Sequence, residues 1–293
     1  MNLFDTMELL LNEWRPAFTQ QRTFDRIHRL TYGLLFAARR HLTSNAICAT
    51  GRQFEDWSAD YRVFSRSPWD THKLFDPVIN HAVTLLPPAP APVLAAMDDT
   101  LFKKSGRHIP GVSTARDPQS LPFHVNLIRG YRYVQVSLLI SPLDCPGPAR
   151  AIPVRLQPAP PARKPKKTDP PEAWEEYKKQ KKILSLTQVG RSTLIDLRQA
   201  LDQRPDTQPR QLLTSVDGSY TNQTLLKGLP ERTTLIGRIR QDADLHLPLE
   251  ADQKKTADPA SMVPRRRPQR KCSATNPFLH RKYRALLPAS SRR

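Results

Sequence analysis

Proline does most to limit what this chain can fold into. Its 29 prolines in 293 residues are concentrated at a few seams. The run LLPPAPAP, residues 85–92, can be neither helix nor central strand, because proline lacks an amide hydrogen and restricts the residue before it. It is expected to be a linker. A second seam, RLQPAPPARKPKK, reads as a proline and lysine linker, and a third runs through the basic C-terminal stretch from 248 to 293. The segments between these seams can be read one at a time.

Residues 1–84 read as helical. Phe24, Ile27, Leu30 and Leu34 recur at steps of three to four, the spacing of one helix face. In HLTSNAICATGRQ, Thr43, Ser44 or Asn45 can cap a second helix that Gly51 ends. Two short helices bearing basic residues fit a DNA-binding helix-turn-helix, and they fit a plain packed bundle at least as well.

Beyond the linker the pattern changes to strands. VLAAM (Val93 to Met97) is an apolar run that ends at Asp98 and Asp99, before a turn of Lys103, Lys104, Ser105 and Gly106. HVNLI and YVQVSLLI, separated by the break RGYR, read as a hairpin. A helical insert around 169–203 follows, with Asp169 as cap, Pro170 in the first turn and Glu172 three residues after the cap. Its second part, near Ser192 to Leu201, carries Leu194, Leu197 and Leu201 on one face. QLLTSVDGSYTN then repeats the opening arrangement: an apolar run, Asp217 at its end, a glycine turn, and a helix starting near Thr221. TTLIGRIR is the last strand expected.

Charge narrows the partners. The chain carries 46 Lys+Arg against 27 Asp+Glu, a formal net charge of +19, which points to a polyanion. No stretch offers the roughly 18 uninterrupted apolar residues of a spanning helix, and the N-terminus is acidic where a signal peptide is basic, so a cytoplasmic location with no membrane partner is expected. Cys48, Cys145 and Cys272 are too far apart in sequence to suggest a disulfide framework or a zinc site.

The two aspartate-ended strands suggest a chemistry. Carboxylates at the tips of neighbouring strands are hard oxygen ligands suited to Mg²⁺ or Mn²⁺. Two such ions about 3.5 to 4 Å apart can clamp the attacking and leaving oxygens of a phosphoryl displacement. For either aspartate alone a turn role suffices, since aspartate bonds nearby backbone amides and Asp-Gly is a common turn dipeptide. The recurrence of the pattern in one basic, strand-rich segment is what favours metal chemistry.

The stretches DDTLFKKSGRHIPGV, ARAIPVRL, EAWEEYKKQ and VDGSYTNQTLLKGLPERTTLIGRIRQDADL resemble the DDE transposases of bacterial insertion sequences, and the likeness runs back through GRQFEDWSADYRVFSRSPWD and forward to about Leu247. The resemblance implies an α/β fold: a ribonuclease H-like mixed sheet over 93–247, incomplete at the C-terminus and preceded by an N-terminal helical domain. It also implies DNA transposition: metal-dependent strand cleavage and strand transfer at the double-stranded ends of the element, with two Mg²⁺ or Mn²⁺ ions held by two aspartates and a glutamate. Carried onto this chain, Asp99 matches the first metal ligand and Asp217 the second. Asp98 remains the alternative to Asp99, because adjacent strand residues point to opposite faces. Lys103 and Lys104 are candidate phosphate contacts, and a homodimer on DNA is the assembly that the resemblance suggests.

The chain departs from the family at its end. In relatives the catalytic glutamate lies on a helix well downstream, whereas here no acidic residue follows Asp258, and Glu250 sits in the loop LPLEAD. The expectation is therefore a transposase cut short by a shifted frame or early stop and inactive, or nearly so, as a single chain, with a disordered basic tail over 248–293. The rival reading is a non-catalytic, basic DNA-binding remnant. An RNA-associated role is weaker, as the chain has none of the aromatic RNA-binding strand motifs.

Overall fold

The N-terminal helices are built by the expected periodicity. A computed structural model describes residues 2–239, except 39, 105, 107, 118, 122 and 142–147. Helix α1 (Leu3–Asn12) opens on a capping box between Asn2 and Asp5. After a 3-10 turn at Arg15–Ala17, α2 (Gln21–Phe36) buries Phe24, Ile27 and Leu30 on one face. Phe24 and Ile27 meet Phe18 and Val63, while Leu30 meets Ala46 and Ile47. The last two lie on α3 (Thr43–Ala49), and Val63 lies on α4 (Ser58–Ser65). Gly51, at φ +75°, ends the α3 segment as expected. On α4, the buried Asp60 is paired with Arg29 of α2. Helix α5 (Phe75–Thr84) packs differently: Ile79, Ala82 and the following Leu86 belong to the core of the sheet.

Among the described residues that sheet has six strands: β1 (Val93–Lys103), β2 (Ser113–Arg116), β3 (Leu127–Ile140), β4 (Arg150–Pro158), β5 (Leu212–Val216) and β6 (Thr233–Gly237). The long β3 pairs antiparallel with β1 along one edge and with β2 and then β4 along the other. On the far side of β1, β5 and then β6 add in parallel. Helices α6 (Pro171–Ile183) and α7 (Leu186–Asp202) form the crossover, and α8 (Gln223–Leu226) is a single turn after β5. Leu194, Leu197 and Leu201 of α7 pack with Val93, Met97, Val134, Val136 and Leu212 in one core. Arg198 of α7, 2 % exposed, bonds Asp202 and the carbonyls of Thr207, Gln208 and Arg210, so its charge is buried with partners.

Four expectations are corrected. The strand VLAAM does not stop at the aspartates: β1 runs on to Lys103 because its ladder with β3 continues to the Lys103 and Gly130 pair. The expected hairpin between HVNLI and YVQVSLLI is absent, since RGYR lies inside the continuous β3. The expected linker RLQPAPPARKPKK begins inside strand β4, whose one partner among the described residues is β3, and edge positions tolerate proline. Asp169 does not cap α6; its carboxylate accepts the Lys166 amide, and Pro170 holds the cap position.

Residues Met1–Arg238 form one compact unit. Glu250 and the basic tail over 248–293 lie outside the described residues. Among the described residues, no helix is long and apolar enough to cross a membrane.

Candidate active site

β1 and β5 lie side by side, and their ladder closes with Met97 opposite Val216. Asp98 and Asp217 are the next residues of the two chains, so the parallel pairing brings both aspartate motifs to one end of the β1–β5 ladder. Along β1, Val93, Ala95 and Met97 are buried, and Asp99 continues their row while Asp98 falls on the exposed one. Asp98 turns its carboxylate back to the strand, where Oδ1 accepts the Asp99 amide at 2.8 Å.

The Asp99 side chain, 23 % exposed, is held on both oxygens. Oδ1 accepts the Tyr220 hydroxyl at 3.3 Å, and Oδ2 lies 3.4 Å from Nε of Arg132. Burial pushes the Asp99 carboxyl above the usual carboxylate range; Arg132 opposes this, the charge of Asp98 adds to it, the Tyr220 hydrogen bond opposes it, and the charge of Asp217 adds to it. Asp99 and Asp217 thus share an electrostatic neighbourhood although they lie 118 positions apart (217 minus 99) in the chain. Burial first, and then the charge of Asp99, push the Tyr220 phenol well above its usual range, so this hydroxyl stays protonated and donates.

Asp217 opens a turn closed by the backbone: its carbonyl accepts the Tyr220 amide at 3.0 Å, and the Gly218 carbonyl accepts the Thr221 amide at 3.3 Å. Asn222 caps α8 through its side-chain oxygen on the Leu225 amide at 3.1 Å. The Asp217 carboxylate is exposed and accepts no hydrogen bond among the described residues, so the turn does not depend on it.

The two lysines stand apart from this cluster. Lys103 is four residues beyond Asp99, roughly 13 Å farther along an extended strand. Its ammonium, on a largely exposed side chain, lies 3.8 Å from Asp117. Lys104 is exposed, and its amide bonds the Arg129 carbonyl. Two residues that the sequence reading passed over do reach the site. Arg132 was hidden in the apparent break RGYR; once that stretch is strand, Arg132 sits opposite Leu101 and diagonal to Asp99. Tyr220 reaches Asp99 through its hydroxyl, and its only signal in the sequence is its place three residues after Asp217.

The sequence model of the DDE superfamily endonucleases matches residues 13–286, nearly the whole chain, and the chain belongs to that family. The match continues past Leu247, where the resemblance fades to the eye, and takes in most of the basic tail. No curated protein matches the chain. Members of this family generally work with divalent metal ions. The acids fit such an ion in kind, being hard oxygen donors whose mutual repulsion a cation relieves. They fit it incompletely in number, since no group of three or more His, Cys, Asp or Glu side chains converges in metal-binding geometry among the described residues.

Proposed function

We propose that this chain is a DNA transposase by descent, acting on the double-stranded ends of an insertion sequence, with Asp99 and Asp217 as two of the acids that hold its Mg²⁺ or Mn²⁺ ions. The observation that carries the proposal is the meeting of the two aspartate motifs at one end of the β1–β5 ladder, within a member of the DDE superfamily endonucleases. The mixed sheet flanked by helices is compatible with the ribonuclease H-like core proposed over 93–247, and the helices of 1–84 are proposed to bind DNA, with 85–92 as their linker. Asp99 is favoured over Asp98 because its carboxylate is turned toward Tyr220 and Arg132 and feels the charge of Asp217, whereas Asp98 bonds its own strand. Divalent metal ions held by Asp99 and Asp217 would supply charge neutralisation and would activate the attacking hydroxyl. The protein groups hold the carboxylates in place, and Lys103 and Lys104 offer phosphate contacts farther along the strand.

No third acid joins the pair in metal-binding geometry among the described residues. Glu231 and Glu250 are the only glutamates after Asp217. Glu231 lies two residues before the start of β6, which pairs in parallel with the start of β5, so it lies at the opposite end of the ladder from Asp217, on the order of 23 Å away. Glu250 lies outside the described residues. With two carboxylates among the described residues, the site is expected to hold metal poorly, and the purified chain is expected to show at most trace strand cleavage. Incubating it with Mg²⁺ or Mn²⁺ and plasmid DNA carrying the element ends tests this. Robust nicking that Asp99→Asn and Asp217→Asn both abolish would sink the inactivity and leave the ligand assignment standing.

One observation favours the second reading, a non-catalytic DNA-binding protein: Arg132 already lies 3.4 Å from the Asp99 carboxylate and offsets part of its charge. On that reading, Asp99→Ala and Asp217→Ala leave both DNA affinity and any metal response unchanged.

A further inference from the structure

Tyr220 occupies an unusual place for a core aromatic residue. Its side chain is 1 % exposed, among the largest fully buried side chains of the described residues. A buried tyrosine must find a partner for its hydroxyl, and most such partners are backbone carbonyls or other neutral groups. Here the partner is the Asp99 carboxylate. The same residue gives its backbone amide to the carbonyl of Asp217. Tyr220 therefore bonds both aspartate-bearing segments at once, one through its side chain and the other through its main chain.

The fold makes room for this arrangement. Gly190 of α7 lies against the ring, where an added Cβ would stand 2.9 Å from Cε1 of Tyr220 and 3.3 Å from Cε of Met97. The turn that carries Tyr220 is fastened on other sides too. Thr221 bonds the carbonyl of Arg238, just past β6, and Nδ2 of Asn222 donates to Oγ1 of Thr187 on α7 at 3.1 Å. With its backbone fixed in this way, the ring has little freedom, and its hydroxyl presents one donor at a set place beside Asp99.

We propose that Tyr220 is the positioning residue of the aspartate pair: its hydroxyl, with Arg132 on the other oxygen, fixes the plane of the Asp99 carboxylate relative to the strand end that carries Asp217, ready for a divalent cation. Each carboxylate oxygen has two lone pairs, so one hydrogen bond on Oδ1 leaves the second lone pair for a metal. Groups that orient metal-ligating side chains in this way commonly change metal affinity by ten- to a hundredfold when removed. The inference rests on the reading of Asp99 and Asp217 as metal ligands, and the experiment separates the two.

The test compares the full 293-residue chain with Tyr220→Phe, Asp99→Asn, Asp217→Asn and the double variant Tyr220→Phe/Asp99→Asn. Manganese alone is the probe, followed by calorimetry and by the paramagnetic resonance spectrum of the bound ion. Thermal melting and duplex DNA affinity serve as controls for the fold. Tyr220→Phe keeps the ring that fills the space against Gly190, so folding and DNA affinity are expected to match the parent. Manganese affinity is expected to fall about tenfold. The double variant is expected to bind no more weakly than Asp99→Asn, because the hydroxyl acts through that carboxylate. Equal manganese affinity and spectrum in Tyr220→Phe and the parent, with both aspartate variants impaired, overturns the role of Tyr220 and spares the ligand assignment. Manganese binding unchanged in the aspartate variants, or absent from the parent, overturns the ligand assignment and the role of Tyr220 with it.

Discussion

At the scale of single residues, Asp99 combines partial burial with two partners and two acidic neighbours. Its folded-state carboxyl is raised, chiefly by burial. A raised carboxyl contributes stability while protonated, below the ordinary value of about 3.9, and that contribution is lost as pH rises through the folded-state value. At neutral pH the ionised Asp99 is thus a net cost to folding. Asp99→Asn keeps the shape and the acceptor for Tyr220 while removing the charge, and Arg132, about a third exposed, can turn to water. The variant is expected to melt above the parent at pH 7, with the difference shrinking toward pH 4. Melting curves at the two pH values check this, and a variant that melts below the parent at pH 7 refutes it. A carboxylate that folding disfavours fits the usual trade between stability and function, and under the proposed function a bound divalent cation would offset its cost.

At the scale of elements, two glycines behave in ways that spacing alone does not reveal. Gly130 looks like a chain break in RGYR, yet it is a strand residue facing Lys103, where an added Cβ would lie 2.8 Å from the Phe102 carbonyl oxygen and 2.9 Å from Leu101. Close cross-strand approach, not a turn, is the reason for glycine there. Gly33 lies on the buried face of α2, and a Cβ there would meet the Ala46 carbonyl oxygen of α3 at 2.3 Å. Gly33→Ala is expected to push the two helices apart and to cost roughly 1 to 3 kcal/mol, despite alanine's better helix propensity. Urea unfolding measures it, and a variant as stable as the parent would show that α3 shifts without cost. The helices themselves were legible from the spacing of Phe24, Ile27 and Leu30. Strand β4 was not, because its prolines argue against a strand, and only its pairing with β3 shows that it holds an edge position, where proline is tolerated.

At the scale of the whole molecule, the charge of +19 dominates interactions with nucleic acid. A chain that neutralises six to ten phosphates loses on the order of a thousandfold or more in affinity between 50 and 200 mM salt, as counterions are released. That steep dependence is expected for duplex DNA, for the parent and for Asp99→Ala alike. Titrations at several salt concentrations measure the slope, and an affinity nearly independent of salt would remove the electrostatic account.

The amino-acid sequence alone determined which segments are helical, where two apolar runs meet aspartate, and the excess of positive charge, because each is a local matter of spacing, side-chain chemistry or count. The DDE motifs were legible for the same reason: DDT and VDGSY are contiguous. What only the tertiary structure decided was which residues surround those acids. Arg132 reaches Asp99 because β3 pairs with β1 in one register, and Tyr220 reaches it because β5 lies parallel beside β1 and Gly190 admits the ring. Strand pairing and close packing join residues that the chain keeps apart, and no local pattern carries that information.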